Sequence, residues 1–267
     1  MRIGMFGIAA KSPAPSQAAP ATIGQQTIVA IDMERRLRSL SVPECATDRA
    51  DLQLEQQRYK IRLTRTTEQR ESTNLLVRKM YSYRGYETSN VASHEANRIS
   101  LSVSSHEHII GTLTLGLDVG DGLAADALYK GELDELRAQD RRVCEITKLA
   151  VDQSVGSRRV LAALFHIAFI HARRLHGCTD VVIEVNPCHV RFYERMLGFR
   201  IFGQEKLCER VNAPALLLRL EFDYVEIQLA KFAGHPEKAL EEKSLYPYAF
   251  SKAEETGITQ RLLQSHH

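Results

Sequence analysis

No window of the 267-residue chain approaches the roughly eighteen consecutive apolar residues of a spanning helix, and no basic stretch followed by an apolar core opens it. Neither an integral membrane segment nor a secretory signal is expected. An excess of one charge is also lacking: 35 Lys and Arg stand against 33 Asp and Glu, a net charge of +2. A whole-molecule field that would draw nucleic acid is thereby excluded, and any basic surface must be local. Cysteine is scarce and odd in number, with Cys45, Cys144, Cys178, Cys188 and Cys208 forming no CxxC pair. That excludes a disulfide framework and a CxxC metal site, and predicts reduced thiols in a cytoplasm. What is present, 44% hydrophobic and 25% charged residues, suits one globular domain with appendages.

Residues 9–26 (AAKSPAPSQAAPATIGQQ) offer almost no large apolar group to offset chain entropy, so 1–56 reads as an N-terminal leader, disordered in part. Tyr59, Ile61 and Leu63 alternate with Arg58, Lys60 and Arg62, the period of a strand with one wet face, and start the folded core near residue 57. Leu76, Met80 and Tyr83 fall at helical spacing between Glu68 and Tyr86. Ile99, Leu101 and Val103 alternate, then Ile109 to Leu117, which predicts an antiparallel hairpin across His106-Glu107. Residues 118–142 hold an acidic segment ahead of a strand at 143–151. A dense apolar helix over 157–176 is expected to end at Gly177, and Val181 to Val185 reads as a central parallel strand. Strands at 200–206 and 215–222 complete a domain over 57–222. Residues 223–267 read as a helical extension carried by Val225, Leu229, Phe232 and then Leu240.

After the strand at 143–151 the chain breaks into a polar turn, Gln153 to Ser157, and restarts as a helix. Unpaired N–H groups at such a helix start, with the positive end of its dipole, would hold a phosphate, and Ser154, Gly156, Ser157, Arg158 and Arg159 are the candidate ligands. Further on, Asn186-Pro187 opens a short helix that stops at Gly198-Phe199. Together the two segments resemble the GCN5-related N-acetyltransferase superfamily. That resemblance implies an α/β (α+β) fold, a mixed central sheet with splayed parallel strands flanked by helices, and acyl transfer to an amine. The chemistry needs a base, an oxyanion donor and a proton for the leaving thiolate. Glu145, an acid inside an apolar strand, is the candidate base; its bland alternative is a structural carboxylate paired with Lys148 or Arg78. Tyr193 stands where the superfamily often keeps the tyrosine that protonates the thiolate. Backbone N–H groups of Leu149, Ala150 and Val151 would bind the thioester and pantetheine amides beside Asn186.

The turn keeps Gly156 but has Arg158 where coenzyme A turns carry a second small residue, which favours a donor with one phosphate. Arg142 to Glu145, Leu149 to Asp152, Gly177 to Asp180, Asn186-Pro187, Phe192-Tyr193, Leu197 to Phe199 and Asn212 to Ala215 resemble the long-chain N-acyl amino acid synthase family, related to acyl-homoserine lactone synthases. This implies transfer of a fatty acyl group from acyl carrier protein to the amine of an amino acid in a bacterial cytoplasm. It also implies acyl-phosphopantetheine as co-substrate, or acyl-CoA, and no permanently bound cofactor. Lys148 would partner Glu145, and Arg78, Tyr81 and Tyr83 would bind the acceptor. The lactone synthases' N-terminal tryptophan signature is missing, for the chain has no Trp. The rivals are a coenzyme A-dependent N-acetyltransferase and a non-catalytic module that binds acyl carrier protein. His166 and His171 are expected to pack rather than ligate, and no metal is expected at His94, His106 and His108. Arg137, Arg141, Arg142, Arg158, Arg159, Arg173 and Arg174 would form a basic face for an acidic carrier protein, and the lipid product allows peripheral membrane contact.

Overall fold

The structure, a computed structural model, describes residues 27–33, 57–83, 85–86, 97–105, 108–152 and 158–264. The chain runs β1 (Thr27–Met33), β2 (Gln57–Leu63), α1 (Thr67–Ser82), β3 (Arg98–Ser105), β4 (His108–Leu117), α2 (Asp126–Ala138) and β5 (Val143–Val151). It continues with α3 (Arg158–Phe169), which ends in a π turn at Ile170–Leu175, then β6 (Asp180–Val185) and α4 (Val190–Leu197). Strands β7 (Arg200–Ile201), β8 (Lys206–Cys208) and β9 (Ala213–Glu221) and helices α5 (Phe222–Phe232) and α6 (Lys252–Gln264) follow. One sheet in the order β1-β2-β3-β4-β5-β6-β9-β7, with β8 on β9, forms the middle layer. Its neighbours are antiparallel except β5 and β6.

Side chains alternate across that sheet and sort into two layers. On one face Leu101, Leu115, Cys144, Ile146, Val181 and Leu218 pack with α3, α5 and α6. On the other, Val143, Val182 and Leu217 pack with Tyr129, Leu133 and Leu136 of α2, and Ala150 with Leu76, Val77 and Met80 of α1.

Three differences from the sequence reading have local causes. The folded core begins at β1 rather than near residue 57. Its buried Ile28 and Ile31 are three residues apart, and a register shift between Thr27 and Val29 turns both to the same side, which breaks the alternation that would reveal a strand. Helix α1 is started by a capping box, Thr66 accepting from Gln69 N at 3.2 Å and Gln69 from Thr66 N at 3.4 Å, and ends at Ser82. Tyr83 therefore lies past the helix and is 78% exposed; Tyr81 turns inward instead, edge-on to Tyr86. Between β4 and β5 the acidic segment is helix α2, with Leu133 and Leu136 buried at a spacing of three.

The stretch after 222 is helical only in pieces. Leu240 is fully outside the packing at 89% exposure, and the segment that returns is Leu245 to Phe250. Tyr246 donates to Leu197 O at 2.6 Å, Leu245 N to Met196 O at 2.9 Å, and Phe250 N to His166 Nδ1 at 3.1 Å. Gly198 ends α4 at φ +85° and makes room for α5, since a Cβ there would collide with the Tyr224 ring.

Glu255 locks α6 onto α3. His166 Nε2 at 3.7 Å and Arg174 Nε at 2.9 Å hold its buried carboxyl at about 2, against the opposing pull of burial, from an ordinary 4.5. A depressed folded value stabilises above the unfolded value and is lost as pH falls from about 4.5 towards 2. We expect Glu255→Gln to lower stability at pH 7 by roughly 3 kcal/mol and to melt ever closer to wild type as pH drops through that window. Melting curves across pH 7 to 2.5 check this; a gap independent of pH would deny the carboxylate that role.

Candidate active site

Strands β5 and β6 pair at Val143 with Asp180, Cys144 with Val181 and Glu145 with Val182, and then part. Beyond Glu145, β5 follows β4 alone, while β6 follows β9 to Val185. A bulge widens the parting: Thr112 faces Ala150 and Thr114 faces Thr147, so three steps on β5 meet two on β4, with Lys148 in the left-handed region at φ +51°. Asn186-Pro187 ends β6, because proline carries no N–H for a ladder and Asn186 instead accepts from Cys188 N at 3.1 Å. Leu149, Ala150 and Val151, the expected thioester-binding stretch, lie on the part of β5 that has left β6.

The closed end of the split is pinned by Asp180, which is 0% exposed. Arg141 reaches its two oxygens at 2.6 and 3.0 Å, Arg219 Nε one of them at 2.8 Å, and Thr179 donates as well. Burial works to raise its pKa, but these donors outweigh it and hold the carboxyl below its ordinary value.

Glu145 sits at the fork with both of its oxygens in use. Ala124 N donates to one oxygen at 2.9 Å, Ala125 N to the other at 3.0 Å, and Arg98 lies 3.1 Å away. The cation beside it is Arg98, neither Lys148 nor Arg78. Gly116, its cross-strand neighbour, leaves the space it fills, since a Cβ there would lie 2.9 Å from Glu145 Cγ. Tyr193 lies on α4 against the α3 layer, edge-on to Phe192 and Phe199. Arg78 is exposed on α1 near Tyr81 and Tyr83, on the face that carries Glu145. Ser154, Gly156, Ser157, His94 and His106 lie outside the described residues. Arg158 and Arg159 open α3, both exposed.

Four of the seven arginines expected in a basic face are held in ion pairs. Arg137 is taken by Asp118, Asp126 and Asp134, Arg141 by Asp180, Arg173 by Asp223 and Glu226, and Arg174 by Glu226 and Glu255. Arg173 and Arg174 share Glu226, while Arg142, Arg158 and Arg159 remain exposed.

Sequence reasoning passed over three residues at the split. Glu184 and Thr147 extend the alternation of Val182 and Glu145 and face the α1 and α2 side; continuing the parallel register sets them opposite each other across the gap. Arg210, in the turn between β8 and β9, pairs with Glu184. Glu184 showed the same signal as Glu145, one acid in an apolar strand, but Arg210 is too far along the chain for any spacing rule. On the opposite face, an apolar cavity of about 40 Å³ lies between the sheet, α3, α5 and the 245–249 segment. Ile146, the first residue of β5 past the fork, is in its wall, with Phe165, Phe169 and Tyr246.

The structure is similar to FeeM, an N-acyl amino acid synthase from uncultured soil microbes, at TM-score 0.58 and 26% identity over 62% of this chain and 92% of that one. An N-acetyltransferase from Staphylococcus aureus Mu50 follows at TM-score 0.45, 12% identity and 62% and 98% coverage, and the AHL synthase LasI at 0.40, 11%, 61% and 88%. No curated protein matches the chain. Residues 72–221, more than half of the chain, match the family described as N-acyl amino acid synthase FeeM. The split sheet, the helix layers and that match agree: the chain belongs to the N-acyl amino acid synthase FeeM family and is an N-acyltransferase of the GCN5-related N-acetyltransferase fold.

Proposed function

We propose that this N-acyltransferase moves a long-chain fatty acyl group from the phosphopantetheine thiol of acyl carrier protein to the amine of an amino acid, in a bacterial cytoplasm. The observation that carries the reading is the apolar cavity that begins at Ile146, beside the point where β5 and β6 part. Its apolar lining suits an alkyl chain, which would enter by parting those side chains, each buried methylene contributing about 0.8 kcal/mol. The thioester would lie in the split along Leu149, Ala150 and Val151, near Asn186. The turn before α3, with Ser154, Gly156, Ser157, Arg158 and Arg159, would hold the single phosphate of the arm. Tyr193 would return a proton to the thiolate, with Lys148 on the bulge beside the reacting carbonyl. The C-terminal turn of α1, with Arg78, Tyr81 and Tyr83, would face the acceptor's side chain. In this scheme 57–222 is the transferase domain, 1–56 its leader joined by β1, and 223–267 the extension that walls the acyl cavity.

The geometry supports a positioning role for Glu145. Its oxygens already bind the start of α2 and Arg98, so it ties the fork to that helix. Glu145→Gln would put an amide NH₂ against N–H donors and leave Arg98 with a neutral partner. We expect a stability loss on the order of 3 kcal/mol, with turnover of the folded fraction down less than about tenfold. Wild-type melting together with a turnover loss of about 10² or more would make Glu145 the base instead.

Two further outcomes test the donor. Palmitoyl-acyl carrier protein is expected to exceed acetyl-CoA in kcat/KM; equal or better use of acetyl-CoA would point to an ordinary N-acetyltransferase, and carrier binding without turnover to a non-catalytic module. Ala162→Leu, in the cavity wall, is expected to displace two or so methylenes and cost about tenfold in kcat/KM with palmitoyl donor, but little with octanoyl donor. Parallel losses with both donors, at an unchanged melting temperature, would remove the cavity from the acyl path.

A further inference from the structure

The face of the split opposite the apolar cavity carries a charged pair, Glu184 and Arg210, whose carboxylate the structural frame leaves half used. Glu184 has one oxygen on Arg210, while its other oxygen, Oε1, is buried with no hydrogen-bond partner. Across the gap, the buried hydroxyl of Thr147 is likewise without a partner. A purely structural carboxylate in this position would be expected to use both oxygens, as Glu145 and Asp180 do. Under the proposed function the alkyl chain would take the other face and the reacting carbonyl would lie between the two strands, which leaves this face to the acceptor.

We propose that Glu184 and Arg210 are the acceptor site for the charged ends of a free α-amino acid: Glu184 receives the ammonium and takes its proton, Arg210 receives the α-carboxylate, and Thr147 orients the amine. This deepens the proposed function and rests on it. An amino acid's opposite charges lie a few bonds apart, so it can enter between the partners of an ion pair and satisfy each with its own counter-charge, where an amine or an ester would leave the arginine unanswered. Burial, followed by the charge of Glu145, lifts the Glu184 carboxyl above its ordinary value although Arg210 pulls the other way, which suits a proton acceptor at neutral pH. The step balances. The amine nitrogen bonds to the acyl carbon as the C–S bond breaks; of the three ammonium protons one goes to Glu184, one to the departing thiolate, and one stays on the amide.

The test uses the full-length enzyme with palmitoyl-acyl carrier protein and, as acceptors, a panel of amino acids and their amides, which keep the amine and lose the carboxylate. Wild type is expected to favour the acids by about 10²-fold in kcat/KM. Arg210→Met is expected to abolish that preference, with Arg210→Lys restoring part of it. Glu184→Gln is expected to lower kcat by about 10²- to 10⁴-fold with donor KM unchanged. Loss of stability alone would not move the ratio of acid to amide, so melting temperatures and that ratio separate a folding defect from a recognition defect. Wild type that acylates amino acids while Arg210→Met keeps the acid preference would overturn the proposal and leave the proposed function standing. Wild type that acylates none of the panel would sink the proposed function itself.

Discussion

Everything at the candidate site depends on β5 and β6 pairing for three residues and then separating. The three-residue zipper is clamped by a buried carboxylate, Asp180, between Arg141 and Arg219. The separation is enforced from both strands: an extra residue at Lys148 bends β5 onto β4, and Pro187 denies β6 any continuation. A sheet interior thus offers unpaired polar backbone and a slot at once. Without the clamp the slot would lose its edge; without the bulge it would close into an ordinary parallel ladder.

The split also divides two chemistries that cannot share a compartment. Because side chains alternate, Ile146 turns to an apolar cavity while Glu145 and Thr147, its neighbours on either side, turn to the charged face. An alkyl chain gains by leaving water, whereas an ammonium and a carboxylate must keep charged partners when they leave it. One residue of register separates these requirements. The same division gives the C-terminal segment its place, since Tyr246 and Ala249 close the apolar side and Glu255 secures the helix behind them.

Charges in this protein are mostly spent locally. Four of the arginines that look like a patch along the chain pair with carboxylates, several from distant segments, as Arg173 does with Asp223 and Glu226 and Arg137 with Asp118. Glu145 follows the same rule with Arg98 and the start of α2. Glu184 departs from it, with its Oε1 buried and left unpaired.

The amino-acid sequence by itself determined most of the strand and helix succession from Tyr59 to Phe222, because alternation at Ile99 to Leu117 and the spacing of Leu76 and Met80 in α1 are set by local backbone geometry. It also determined the break after Val151, the stop at Gly198 and the family, through motifs whose turn chemistry is local. Strand β1 escaped because a bulge disrupts its period, and α2 because a short acidic helix shows its apolar face only once a sheet is there to cover it. The tertiary structure alone decided which carboxylate is occupied and which is open, where Arg210 lies, and that one side of the split is oily and the other charged. Those properties belong to pairs of residues brought together over long loops, and neither partner carries a mark of the other in its own neighbourhood of the chain.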